Sequence, residues 1–211
     1  MTDMRKELVE YGKIIARAHL VAGAGGNISA CDGETVWMKP SGFAMDEMEP
    51  DDLCGLDLKT GKQTRGRNRP TSEFNMHLAV YRVRPELAAV FHTHSPWASG
   101  VISSGVEMKP MFAEFINDLG RTTTIPYVTP TTVDLANAIA EAAKDHDTIF
   151  MVNHGVLGVG RVMKQAFCRC IVAEQAAIAL MAARATGTPR FLTAEQQKQL
   201  KQLNIRKTAS K

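Results

Sequence analysis

Apolar residues recur at three- and four-residue steps at the start of the chain. Leu8, Tyr11, Ile14, Ile15, Ala18 and Val21 fall on one face of a helix predicted from Met4 to Ala22. Gly23-Ala24-Gly25-Gly26-Asn27 is expected to stop it, because glycines favour turns over helix. Ile28-Ser29-Ala30 and Thr35-Val36-Trp37-Met38, separated by Asp32-Gly33, read as a β-hairpin, and Lys39-Pro40-Ser41-Gly42 as the turn that closes it. Asp57 to Lys62 is another turn with short strands on either side, followed by an Arg-rich loop up to Arg69.

After Pro70, Thr71 or Ser72 is expected to cap a helix whose apolar positions Phe74, Leu78, Tyr81 and Val83 hold helical spacing up to Pro85. Ala88 to His94 is a strand of the buried type that leads through Ser95-Pro96 into a short helix. Val133 to Lys144 is a helix capped by Thr131 or Thr132; Thr148 to His154 is a strand, and Gly155 to Val159 is its continuation or return. Val162 to Ala185 is the longest helix, Ala-rich and expected to be buried, and a last surface helix starts at Thr193. This order describes one layered domain over residues 1–211, of the α/β class, with a mixed or antiparallel sheet.

Composition narrows the class without naming a function. The 211 residues are 45% hydrophobic and 22% charged, which is ordinary for a globular protein. The net charge of +3 is mild, and apart from Arg65, Arg67, Arg69 and a tail with Lys198, Lys201, Arg206, Lys207 and Lys211 the basic residues are dispersed, so no nucleic-acid footprint is expected. No apolar run is expected to reach the roughly 20 residues of a membrane span. Met1 to Glu10 is charged and polar, and Cys31, Cys54, Cys168 and Cys170 lack CxxC spacing, so a reducing cytoplasm is expected. Cys168 and Cys170 are expected to be buried thiols on different helix faces.

Chemistry concentrates on histidine. His92 and His94 stand two apart on a strand, so both rings leave one face about 6.6 Å apart along the chain, which suits chelation of one ion. His154 precedes a glycine at the end of a second strand, and three imidazoles with an open position describe a catalytic metal site. His19, His77 and His146 show no partner spacing and read as structural or exposed. Glu73, at a helix start, either complements the helix dipole or serves as an acid/base or fourth ligand beside the metal. Gly25-Gly26-Asn27, Ser41-Gly42 and Thr71-Ser72 are small-residue turns able to form an anion pocket, and none matches a nucleotide fingerprint.

Gly25-Gly26-Asn27-Ile28-Ser29, Lys39-Pro40-Ser41-Gly42, Pro70-Thr71-Ser72-Glu73, His92-Thr93-His94-Ser95 and Asn153-His154-Gly155, taken in order over nearly the whole chain, resemble the class II aldolase/adducin family, most of all its fuculose-phosphate aldolase branch. The resemblance implies a three-layer α/β/α fold around a central, mostly antiparallel mixed sheet. It also implies a divalent metal, zinc first, on His92, His94 and His154, and a homotetramer with active sites between subunits. By the same resemblance Gly26, Asn27, Ser41, Gly42, Thr71 and Ser72 hold the phosphate of a sugar substrate. Glu73 is then the acid/base of a lyase that cleaves a ketose 1-phosphate to dihydroxyacetone phosphate and a short aldehyde such as lactaldehyde or acetaldehyde.

That branch carries a tyrosine from a neighbouring subunit that protonates the aldehyde oxygen, whereas Met111 to Asn117 here contains none. The nearest, Tyr127, follows Pro126 and is expected to pack in the core. A 5-deoxy-pentulose 1-phosphate therefore suits this chain as well as fuculose 1-phosphate. A pentulose-phosphate 4-epimerase, a methylthioribulose-phosphate dehydratase or a sugar-acid phosphate decarboxylase would use the same metal. A non-catalytic adducin-like domain would not need the three histidines.

Overall fold

The computed structural model describes residues 3–209. The first helix, α1 (Met4–Arg17), is shorter than its periodicity suggests, and the glycines do not end it. His19 adopts φ 56°, its N–H reaches Ala16 O, and Leu20 N–H reaches back to Ile15 O. These paired bonds satisfy carbonyls left open at a helix end, and Leu20 and Ile15, both fully buried, close over them.

Among the described residues eight strands follow: β1 (Asn27–Cys31), β2 (Thr35–Met38), β3 (Cys54–Asp57), β4 (Gln63–Arg65), β5 (Ala89–Thr93), β6 (Thr122–Ile125), β7 (Thr148–Met151) and β8 (Gly155–Gly160). They form one sheet in the order β4-β3-β2-β1-β5-β8-β7-β6. Every pairing is antiparallel except β6 with β7. The helices between and after them are α2 (Phe74–Val83), α3 (Pro96–Ser103), α4 (Ala113–Asp118), α5 (Val133–Ala143), α6 (Met163–Thr186) and α7 (Ala194–Ala209). The sequence reading had neither α4 nor β6. Six residues make a helix too short to display a period, and Thr122-Thr123-Thr124-Ile125 is a polar edge strand with no alternation to read.

Side chains alternate between the two faces of the sheet. Val90, Ile149, Met151, Leu157 and Val159 pack with Met76, Leu78 and Tyr81 of α2 and Leu135 and Ile139 of α5. Ile28, Ala30, Ala89 and Phe91 pack on the opposite face with Leu8 and Ile15 of α1 and Ala166 and Cys170 of α6. Phe150 and Val156 extend that second layer under α3 and α6. The result is the expected α/β/α sandwich. Each large apolar side chain so buried contributes about 1.5–3 kcal/mol.

Contrary to expectation, α6 is long and apolar enough to cross a membrane by length and composition alone. It lies instead along β8, so close at Gly158 that a Cβ there would come within 2.7 Å of Ala166 O. Its buried Glu174 accepts from Trp97 N and Ala98 N at 3.1 and 2.9 Å, capping the start of α3. On the same helix Cys170 is buried and Cys168 half-buried. The side chains of Arg206 and Lys207, and Lys211 as a whole, lie outside the described residues.

Candidate metal centre and anion pocket

His92 lies on β5, a central strand, across from Asn27 of β1 on one side and Leu157 of β8 on the other. Its ring is fully buried, and Nδ1 lies 3.1 Å from Val156 O. A carbonyl only accepts, so Nδ1 carries the proton and Nε2 presents a lone pair inward. His94 follows the end of β5. His154 sits not on a strand, as expected, but in the turn from β7 into β8, where Asn153 takes φ 55° and donates its N–H to Ser103 Oγ at 2.8 Å. Asparagine tolerates this left-handed turn better than most residues.

The turn swings His154 towards the pair on β5. Ring centroids are 4.9 Å apart for His92 and His94, 4.7 Å for His92 and His154, and 5.7 Å for His94 and His154. One nitrogen from each lies within 4.8 Å of the others. Gly155 makes this packing possible, since a Cβ on it would stand 2.3 Å from Thr93 O and 3.0 Å from His92 Cε1.

Glu73 completes the cluster. It stands at the N-cap position of α2 yet makes no capping bond, and neither Thr71 nor Ser72 takes the capping role the sequence suggested. Its carboxylate turns to the histidines instead, with Oε2 3.4 Å from His92 Nε2 and Oε1 3.3 Å from His154 Nε2. Asn27 Nδ2 donates to Oε2 at 2.8 Å. Burial pushes the Glu73 carboxyl up, but the facing histidines and the Asn27 amide outweigh it and hold the group below the ordinary carboxylate range. Burial pushes His92 down to about 3 and His94 below its ordinary value, so both rings are neutral at pH 7.

These donors fit a divalent ion. His92 Nε2 and His94 Nε2 face each other at 3.1 Å, and Glu73 Oε1 is buried without a hydrogen-bond partner. Donors about 2.0–2.2 Å from a tetrahedral ion stand roughly 3.3–3.6 Å apart, close to the 3.1, 3.3 and 3.4 Å separations here. The neutral rings of His92 and His94 and the ionised Glu73 carboxylate are also the protonation states that ligation requires.

The cluster opens on a cavity of about 300 Å³, lined by Gly25, Gly26, Asn27, Ser41, Gly42, Thr71 and Ser72 together with Glu73, His94 and His154. The three separate turns of the sequence reading therefore line one cavity. Asn27 joins this lining with its side chain already engaged, donating to Glu73 and accepting from His77, although the second N–H of its amide remains for a ligand.

Lys39, Pro130 and Thr131 also line the cavity, and the sequence reading had none of them in this role. Lys39 is 2% exposed and its Nζ donates to Ala24 O at 2.9 Å, which leaves two N–H bonds for an anion. Burial pulls its pKa down to about 8. Its signal was a lysine directly preceding Pro40-Ser41-Gly42. His77, read as structural or exposed, is fully buried, and its signal was spacing: Glu73, His77 and Tyr81 recur at four-residue steps on one face of α2. Tyr127 corrects another expectation, being 52% exposed rather than packed in the core.

The family described as Class II Aldolase and Adducin N-terminal domain matches residues 6–181. A protein of Bacillus thuringiensis serovar kurstaki named 5-deoxy-D-ribulose 1-phosphate aldolase is 34% identical over 199 residues, covering 93% of this chain and 92% of its own. One of Methanocaldococcus jannaschii named L-fuculose phosphate aldolase is 29% identical over 181 residues, covering 84% and 96%. A solved structure named L-fuculose 1-phosphate aldolase superposes with a TM-score of 0.86 at 26% identity, covering 95% of each chain.

Proposed function

We propose that this chain, which belongs to the class II aldolase and adducin family and is a metal-dependent lyase, cleaves a 5-deoxy-pentulose 1-phosphate reversibly to dihydroxyacetone phosphate and acetaldehyde. The observation that carries this reading is the opening of the Glu73 carboxylate and the histidine cluster onto the same cavity as the three small-residue turns and Lys39. The turns and Lys39 suit a phosphate, and the carboxylate with the histidines suits a carbon–carbon bond next to a carbonyl.

In this reading Gly26, Asn27, Ser41, Gly42, Thr71 and Ser72 bind the phosphate through backbone N–H groups and hydroxyls, and Lys39 supplies the positive charge. His92, His94 and His154, with Glu73 as the fourth ligand before substrate enters, would hold one zinc ion per subunit, whose Lewis acidity when bound draws charge from the ketose carbonyl. Cleavage breaks the C3–C4 bond and leaves the electron pair on C3. Overall, the proton lost from the C4 hydroxyl ends on C3, and Glu73 is the base that moves it. Asn27 keeps that carboxylate aimed by donating to it.

The aldehyde half follows from what the chain lacks. Met111 to Asn117 holds no tyrosine, and Tyr127 stands exposed. Acetaldehyde, which carries no hydroxyl beyond its carbonyl, asks least of such a site. We also propose a homotetramer with active sites at subunit contacts, a reading supported by the half-exposed Trp97 and the neighbouring Met181.

A panel of ketose 1-phosphates, followed by coupled reduction of released dihydroxyacetone phosphate, tests the proposal. The expected order places 5-deoxy-D-ribulose 1-phosphate above L-fuculose 1-phosphate. Water loss or epimerisation without triose phosphate release would overturn it.

A further inference from the structure

We infer that His77 is a positioning residue that decides which way the Asn27 amide faces, and so aims an N–H at Glu73. This inference rests on the proton-moving role of Glu73 proposed above. The observations are five buried side chains on two elements. Asn27 and Ser29 leave the same face of β1, and Glu73, His77 and Tyr81 follow one another at four-residue steps along α2. Ser29 and His77 are fully buried, and Tyr81, Asn27 and Glu73 are 1%, 4% and 6% exposed.

The direction of every bond in this chain follows from its last member. An ionised carboxylate only accepts, so at 2.8 Å from Glu73 Oε2 Asn27 must present its NH2. Its Oδ1 then faces His77 Nε2 at 2.5 Å, so that nitrogen must carry a proton. In a neutral ring Nδ1 is left as an acceptor, and the Ser29 hydroxyl donates to it at 2.7 Å. The other acceptor within reach of that hydroxyl, Val90 O, is at 3.5 Å, too far to compete. Ser29 Oγ in turn accepts from the Tyr81 hydroxyl at 2.8 Å.

The two ends of an asparagine amide are nearly equal in size, so shape alone does not hold Asn27 in its orientation. Without the His77 N–H, the amide can turn over and set Oδ1 against the carboxylate. Two acceptors would then face each other in a buried site, and Glu73 would shift or take up a proton. His77 thus acts on the reaction through two intervening groups and touches no substrate.

Two measurements test this. The first does not depend on activity: in the wild-type protein carrying 15N-labelled histidine, His77 should show a protonated Nε2 and an unprotonated Nδ1, and the opposite tautomer would overturn the inference. The second is deuterium uptake from D2O into C3 of dihydroxyacetone phosphate without aldehyde. H77F should slow it at least tenfold with metal content retained and KM for the triose phosphate changed less than threefold, while H77Q, which can still donate to Asn27, should recover most of the rate.

Equal rates in H77F and wild type, or equal losses in H77F and H77Q, would overturn the inference. S29A, which removes only one hydroxyl, should give a smaller loss than H77F, and a larger one would also count against it. If the wild type exchanges no C3 hydrogen, the aldolase reading fails, whereas the tautomer still decides the orientation of Asn27.

Discussion

Asn27 stands directly opposite His92 in the β1–β5 ladder, and its amide donates to Glu73 at 2.8 Å. A single cross-strand pair therefore ties the histidine cluster to the carboxylate beside it. Changes at either end of this unit should be separable by what each removes.

His92→Ala removes a fully buried ring whose tautomer Val156 O fixes. Metal content after dialysis should fall well below one equivalent, and turnover should drop by roughly 10²-fold or more. Elemental analysis of the purified variant decides the point, because a full equivalent of metal would show that His92 is not a ligand.

Glu73→Gln retains the size of the side chain and its place beside Asn27. Loss of the base should lower turnover by about 10²–10⁴-fold while the protein still folds and keeps its metal. Undiminished turnover would mean that the carboxylate serves only to balance charge among the histidines.

Lys39→Met should raise KM for the phosphorylated substrate about 10–100-fold, the loss expected for a charge-assisted hydrogen bond, with metal content unchanged. The lysine is charged below its pKa of about 8, so wild-type KM should climb as pH rises past 8. A pH profile of KM that is the same in wild type and variant would remove Lys39 from phosphate binding.

His77 makes folding sensitive to acid. Burial lowers its pKa to about 4 against an ordinary 6.5, so between those values the unfolded chain takes up a proton that the folded one does not. The stability it contributes is fully present above pH 6.5 and falls away towards pH 4, by up to about 3 kcal/mol. Urea denaturation of the metal-free protein at pH 7 and pH 4.5 should show this loss, and His77→Gln should reduce it. The same pH dependence in both proteins would contradict the assignment.

Gly155→Ala should destabilise the fold by about 1–3 kcal/mol, because the added methyl meets Thr93 O at 2.3 Å and the His92 ring at 3.0 Å. Denaturation midpoints of wild type and variant measure the effect. An unchanged midpoint would show that the β7–β8 turn yields more easily than its packing suggests.

Much of the fold could be read locally. A short continuous run of buried residues marks β5, and a period near four marks α2 and α5, because side-chain direction depends only on neighbouring backbone. The same logic placed His92 and His94 on one face. It also contains the Glu73, His77, Tyr81 stripe, which periodicity alone does not mark as buried because a buried polar stripe resembles the exposed face of an amphipathic helix. The end of α1 went wrong for a different reason: the stop lay in the backbone of His19 and the burial of Leu20, not in the glycines beyond it.

What the sequence determined by itself was the donor types, their local faces and the turns flanking them. Only the tertiary structure decided that the turns at positions 25–27, 41–42 and 71–72, the end of β5 and the β7–β8 turn share one cavity, that Lys39 lies buried in its wall, and that Tyr127 stays outside. These are contacts between residues far apart in the chain. They depend on strand order and on the packing of both faces of the sheet, and no window of neighbouring residues encodes either.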